Sequence, residues 1–107
     1  MPIKIINAWG TTNAAIAVNG IDYAINNGAL LLNGSYGGDF SQSEQSAISR
    51  ALGRGRLFIA AAREYPVGGG DQDQSPIYPA SYSLDNIVSV LATTHNDEKA
   101  GLTFGRL

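Results

Sequence analysis

Apolar and polar positions along this chain switch between two periods. Ile3 to Ile6 is a short apolar run interrupted only by Lys4, and it reads as a strand. Trp9-Gly10-Thr11-Thr12-Asn13 breaks the run and supplies residues suited to a helix N-cap. From Asn13 the spacing turns helical. Ile16, Ala17, Ile21, Ala24 and Ile25 share one face, while Asn19, Asp22 and Asn26 point away from it. Asn27-Gly28 suits a left-handed C-cap, so the helix ends near Asn27. Ala29 to Leu32 is apolar throughout, as expected of a strand buried on both faces. Asn33-Gly34 would mark a hairpin between alternating flanks, but these flanks do not alternate.

A second helix follows. Ser41 and Glu44 have the spacing of a capping box. Ala47, Ile48, Ala51 and Leu52 form a narrow apolar stripe, and Gly53 and Gly55 end it. Leu57 to Ala62 reads as another buried strand. Residues 63–83 hold three Pro and three consecutive Gly, which predicts a long loop, and loops of that length are commonly functional. Asn86 to Thr93 reads as a last strand before a polar, then Gly-containing tail. Strands joined by helices predict an α/β fold with a parallel sheet of about four strands and crossover helices.

Composition narrows the function classes. The 107 residues hold one domain at most. Charged residues are 15% of the chain, below the ~25% of ordinary soluble domains. Net charge is −2, so no basic field attracts nucleic acid. Cys is absent, which excludes disulfides, Cys-ligated zinc and a thiol nucleophile. No apolar run approaches the ~18 residues of a membrane span.

Isolated motifs carry little. Gly53-Arg54-Gly55-Arg56-Leu57-Phe58 has the first two glycines of a dinucleotide fingerprint, but Phe58 stands at the third. It also follows a helix and precedes a strand, the reverse of a phosphate cradle, and reads as a C-cap. Gly34-Ser35-Tyr36-Gly37 is no nucleophile elbow, because Asn33 occupies the first Gly position. Asp71 and Asp73 lack the rest of a calcium loop and read as solvated. His95, near Asp97 and Glu98, reads as a surface residue. Tyr36, Tyr65, Tyr78 and Tyr82 read as wedges packing loops onto the sheet. Neither a metal nor a cofactor is expected.

The joint pattern says more. Gly20-Ile21-Asp22-Tyr23-Ala24-Ile25, Asn27-Gly28-Ala29 and Asn33-Gly34-Ser35-Tyr36-Gly37-Gly38 resemble the central segment of the subtilisin-like serine proteases. So do Ala47-Ile48 through Gly55, Leu57 to Ala62, Tyr78-Pro79-Ala80-Ser81-Tyr82 and Asn86 to Val90. The resemblance implies a single partial subtilase-like domain over residues 1–107, with adjacent strands of a three-layer fold. It implies that Ser35-Tyr36-Gly37 pairs with the substrate backbone and walls one side of the specificity pocket. It places Ala61, Ala62 and Arg63 on the opposite wall.

The resemblance stops at the chemistry. The family's Asp motif, His-Gly-Thr-His-type helix and Gly-Thr-Ser-Met-type turn do not occur in this chain. No serine here has a positioned base. Glu64 stands where the family carries the Asn that donates to the oxyanion, and an ionised carboxylate cannot donate. The resulting expectation is a fragment or degenerate member of a peptide-hydrolysing family, inactive as this chain. Two alternatives remain open. One is a non-catalytic module that binds an extended peptide or self-assembles through strand edges and apolar faces. The other is a protease site completed by a second chain. Homo-oligomerisation is expected; nucleic-acid and membrane partners are not.

Overall fold

A computed structural model of the chain describes residues 1–62 and 75–98. Five elements follow in order: α1 (Ala14–Asn26), β1 (Leu31–Gly34), α2 (Gln42–Gly53), β2 (Leu57–Ala61) and β3 (Ile87–Val90). Each helix begins at a side-chain cap. The Asn13 Oδ1 accepts from the Ile16 N–H at 3.0 Å, and the Ser41 Oγ from the Glu44 N–H at 3.4 Å. Each helix is followed by a glycine in the left-handed region, Gly28 at φ 84° and Gly55 at φ 68°.

The strands form a parallel sheet of order β1-β2-β3. Leu32 lies opposite Phe58, and Phe58 opposite Ile87. Side chains in register share a face, so Leu32, Phe58 and Ala60 project together. Both helices pack on that face. Ile21, Ala24 and Ile25 of α1 and Ala47, Ile48 and Ala51 of α2 close one apolar core with them. Phe58 and Ile48 are among the largest fully buried side chains. At their outer ends the helices are tied by Arg50, which makes three hydrogen bonds to the Asp22 carboxylate, and by Arg54, which donates to the Asn26 Oδ1. The core carries the stability here, since exposed ion pairs contribute only ~0.2–1 kcal/mol. Asn86 is buried, and its amide donates to the carbonyls of Ile48 and Arg56. One side chain thus fastens β3 to α2 and to the approach of β2.

Several sequence expectations change. Ile3 to Ile6 is not a strand. Its residues pack over α1, where a Cβ on Gly20 would lie 2.8 Å from the Ile5 Cγ2. The sheet therefore has three strands among the described residues. β1 begins two residues later than its apolar run, at Leu31. It alternates in burial, and Leu31 is 54% exposed. β1 and β2 are buried on one face only, because α1 and α2 both cover the same side, and β3 is at most half-buried. The second helical layer of a three-layer arrangement has no counterpart among the described residues. Ile16 and Leu52, assigned to apolar helix faces, reach solvent.

Candidate functional site

A parallel sheet places the residues that leave each strand at one edge, and ligands collect there. Here Ser35 follows β1, Ala62 follows β2 and Leu91 follows β3. With Asn33, Ile59, Ala60, Ala61, Val90 and Ala92 they line a cleft of about 200 Å³. The structure thus brings Ser35, Ala61 and Ala62 together, on opposite sides of one opening. No backbone hydrogen bond to another described residue engages Ser35, Tyr36 or Gly37. Ser35 is exposed, and its Oγ accepts from the Asn33 amide at 3.1 Å. That contact supplies no base.

Tyr36 and Gly37 take a different direction. They line a neighbouring cleft of about 350 Å³ with Thr12, Asn13, Phe40, Glu44 and Tyr78. The Tyr36 side chain turns inward, and its hydroxyl donates to the Glu44 Oε1 at 2.8 Å. The Tyr82 hydroxyl stands 2.9 Å from the Glu44 Oε2 and 2.9 Å from the Ser41 carbonyl. It also accepts the Ser41 N–H at 3.1 Å. Burial, reinforced by the Glu44 carboxylate, holds the Tyr36 phenol far above its ordinary range. Burial likewise raises Tyr82; its bond to Ser41 opposes this and its contact with Glu44 adds to it.

The capping box is therefore half formed. Ser41 caps the Glu44 N–H, but Glu44 does not reach back to the Ser41 N–H, which the Tyr82 hydroxyl takes instead. Gly38 and Tyr78 exchange backbone hydrogen bonds of 2.8 and 3.0 Å, beside a cis Tyr78–Pro79 peptide. The rings of Phe40, Tyr78 and Tyr82 meet with centroids 4.6–5.8 Å apart. Tyr36, Tyr78 and Tyr82 thus pack loops against the core, as the sequence indicates.

Arg63 and Glu64, the remaining wall and oxyanion positions, lie outside the described residues, as do Tyr65, Asp71 and Asp73. His95 is exposed, in a turn closed by the Thr94 N–H donating to the Glu98 carbonyl. Sequence reasoning misses Val90, Leu91 and Ala92 as cleft residues; their place at the carboxyl end of β3 is the signal for them. It also misses Glu44 as more than a cap. The partner Tyr82 is 38 residues away, and no local pattern links the two.

Two helices on one face of a three-stranded parallel sheet, with a cleft at the strands' carboxyl ends, define an α/β fold among the described residues. A sequence profile of the subtilase family matches residues 1–105, and the chain belongs to that family. It is 32% identical over 107 residues to thermitase of Thermoactinomyces vulgaris, covering 98% of this chain and 36% of thermitase. It is 32% identical over 103 residues to subtilisin DY of Bacillus licheniformis, covering 94% of this chain and 36% of that protein. The chain thus spans about a third of the length of these relatives. Among solved structures, the prenylagaramide maturation protease PagA superposes with a TM-score of 0.68 at 21% identity. That match covers 89% of this chain and 33% of PagA and bears on the fold.

Proposed function

We propose that this chain forms the substrate-holding part of a subtilisin-like serine endopeptidase and that, made as these 107 residues, it hydrolyses no peptide bond. The observation that carries the reading is the cleft at the strand ends, with Ser35 facing Ala61 and Ala62 beside a backbone that no other described residue engages from Ser35 to Gly37. An extended peptide adds there as a further strand, its main chain bonding to Ser35 and Gly37. The family resemblance assigns Arg63 to the opposite wall. By the same resemblance Glu64 takes the sequence position of the oxyanion donor, and an ionised carboxylate cannot donate. Loss of one oxyanion donor alone costs roughly 2.7–4 kcal/mol of transition-state stabilisation.

Two measurements test this. Purified chain gives no inhibitor-sensitive hydrolysis of a chromogenic peptide. Titration with an extended peptide shifts the amide resonances of Ser35 to Gly37 and of Ala60 to Ala62. Turnover that follows the pure protein and responds to a serine-directed inhibitor overturns the inactivity. Unmoved resonances at millimolar peptide overturn the binding edge.

A second reading, self-association, has its own support. The sheet face away from the helices carries Leu31, Leu57, Val88 and Val90, each close to half exposed. Among the described residues β1 and β3 are both edge strands. Such a face seeks cover. A second copy meets it with the same apolar residues. Light scattering expects a mass above one chain at micromolar concentration, and a monomer at high concentration rejects it.

A further inference from the structure

We propose that Glu44 is a positioning residue for the peptide-binding edge, holding Ser35 to Gly37 in place through the hydroxyls of Tyr36 and Tyr82. The proposal rests on the reading of that segment as a peptide edge. Segment 35–38 leaves the sheet after Gly34, and among the described residues no strand of the sheet pairs with it. Three contacts hold it instead. The Tyr36 hydroxyl reaches Glu44 at the start of α2. Gly37 packs against the Ile77 side chain so closely that a Cβ has no room. Gly38 bridges to Tyr78 through both backbone bonds.

Glu44 joins these contacts. It is 4% exposed, and each carboxylate oxygen faces one phenol. One phenol belongs to the edge segment and the other to the loop that carries Tyr78. The Tyr82 hydroxyl has one proton and two acceptors in reach, Glu44 and the Ser41 carbonyl. A carboxylate takes the shared proton more strongly than a neutral carbonyl does, because charge-assisted bonds are the stronger kind. It buries without a cation because two donors satisfy it. A cap of α2 needs none of this, since Ser41 already performs that task.

The test compares the whole chain with Glu44→Leu, Glu44→Gln and Tyr36→Phe. Amide exchange is read at Gly38, Ser41 and Tyr78, whose N–H groups are bonded around the site, and at Ala17 and Phe58, bonded elsewhere. Glu44→Leu and Tyr36→Phe are expected to raise exchange ~10-fold or more at the first three only and to weaken extended-peptide binding by a similar factor. Glu44→Gln, which still accepts from Tyr36 and bonds Tyr82, stays within ~3-fold of the parent. Exchange that rises equally at all five amides, or at none, overturns the tether. Tyr36→Phe removes one hydroxyl and decides the matter if Glu44→Leu does not fold. A local rise in exchange with peptide affinity unchanged overturns the role in binding. Failure of the parent chain to bind peptide overturns the edge reading itself, while the exchange data still decide the tether.

Discussion

Gly34 closes β1 under the ring of Phe58. A Cβ there would lie 2.6 Å from the ring Cζ and 2.7 Å from Cε1. Its φ is not in the left-handed region, so space rather than conformation demands the glycine. Phe58 is 1% exposed and is held by α2 and β3 as well, so the ring cannot swing aside. Gly34→Ala is therefore expected to destabilise by ~1–3 kcal/mol, the usual cost of overpacking. Urea unfolding checks it, and an unchanged midpoint contradicts the close approach. In the sequence Asn33-Gly34 looks like turn chemistry. The contact that explains the glycine joins residues 24 apart, so nothing local announces it. The same holds for Glu44, whose spacing from Ser41 marks a cap and conceals its bonds to Tyr36 and Tyr82.

At the level of elements, the helices were legible because their signals are local. The Asn13 and Ser41 caps, the 3.6-residue apolar spacing and Gly28 and Gly55 all act within one turn. The strands were legible as apolar runs, but their faces were not, because burial depends on which side the helices choose. Ile3 to Ile6 shows the same limit: its apolar residues meet α1, not a neighbouring strand. Long-range polar ties join these elements, and the phenols of Tyr36 and Tyr82 join the edge segment and the 75–83 loop to α2. Both phenols are held neutral well above their ordinary value of 10.0. Below that pH they are protonated in both folded and unfolded chains and make no pH-dependent difference. Above it the unfolded phenols ionise while the folded ones resist, so stability falls as pH rises. Spectrophotometric titration is expected to show Tyr36 and Tyr82 ionising only as the chain unfolds in strong alkali. Ionisation of all tyrosines near pH 10 in folded protein rejects the buried network.

The whole molecule is two-layered among the described residues, with helices on one face of the sheet and none on the other. The low charged fraction, 15%, suits a chain with much apolar surface that is not its own core. Leu57 and Val88 lie on neighbouring strands of the open face, each 45% exposed, and neither contributes to the helix-covered core. Covering a Val or Leu side chain fully is worth roughly 1.5–3 kcal/mol, so a few such residues drive association. Net charge is only −2, so repulsion between copies is weak. The double variant Leu57→Lys and Val88→Lys reverses the first of these terms alone. It makes the open face costly to cover and moves the net charge from −2 to 0 at pH 7, so any gain in dispersity comes from the face and not from greater overall repulsion. It is expected to scatter as a single chain at concentrations where the parent associates. Its urea midpoint, measured at high dilution, should stay near the parent's, because the core under the helices is untouched. A variant as associated as the parent places the contact elsewhere, at the edges of β1 and β3.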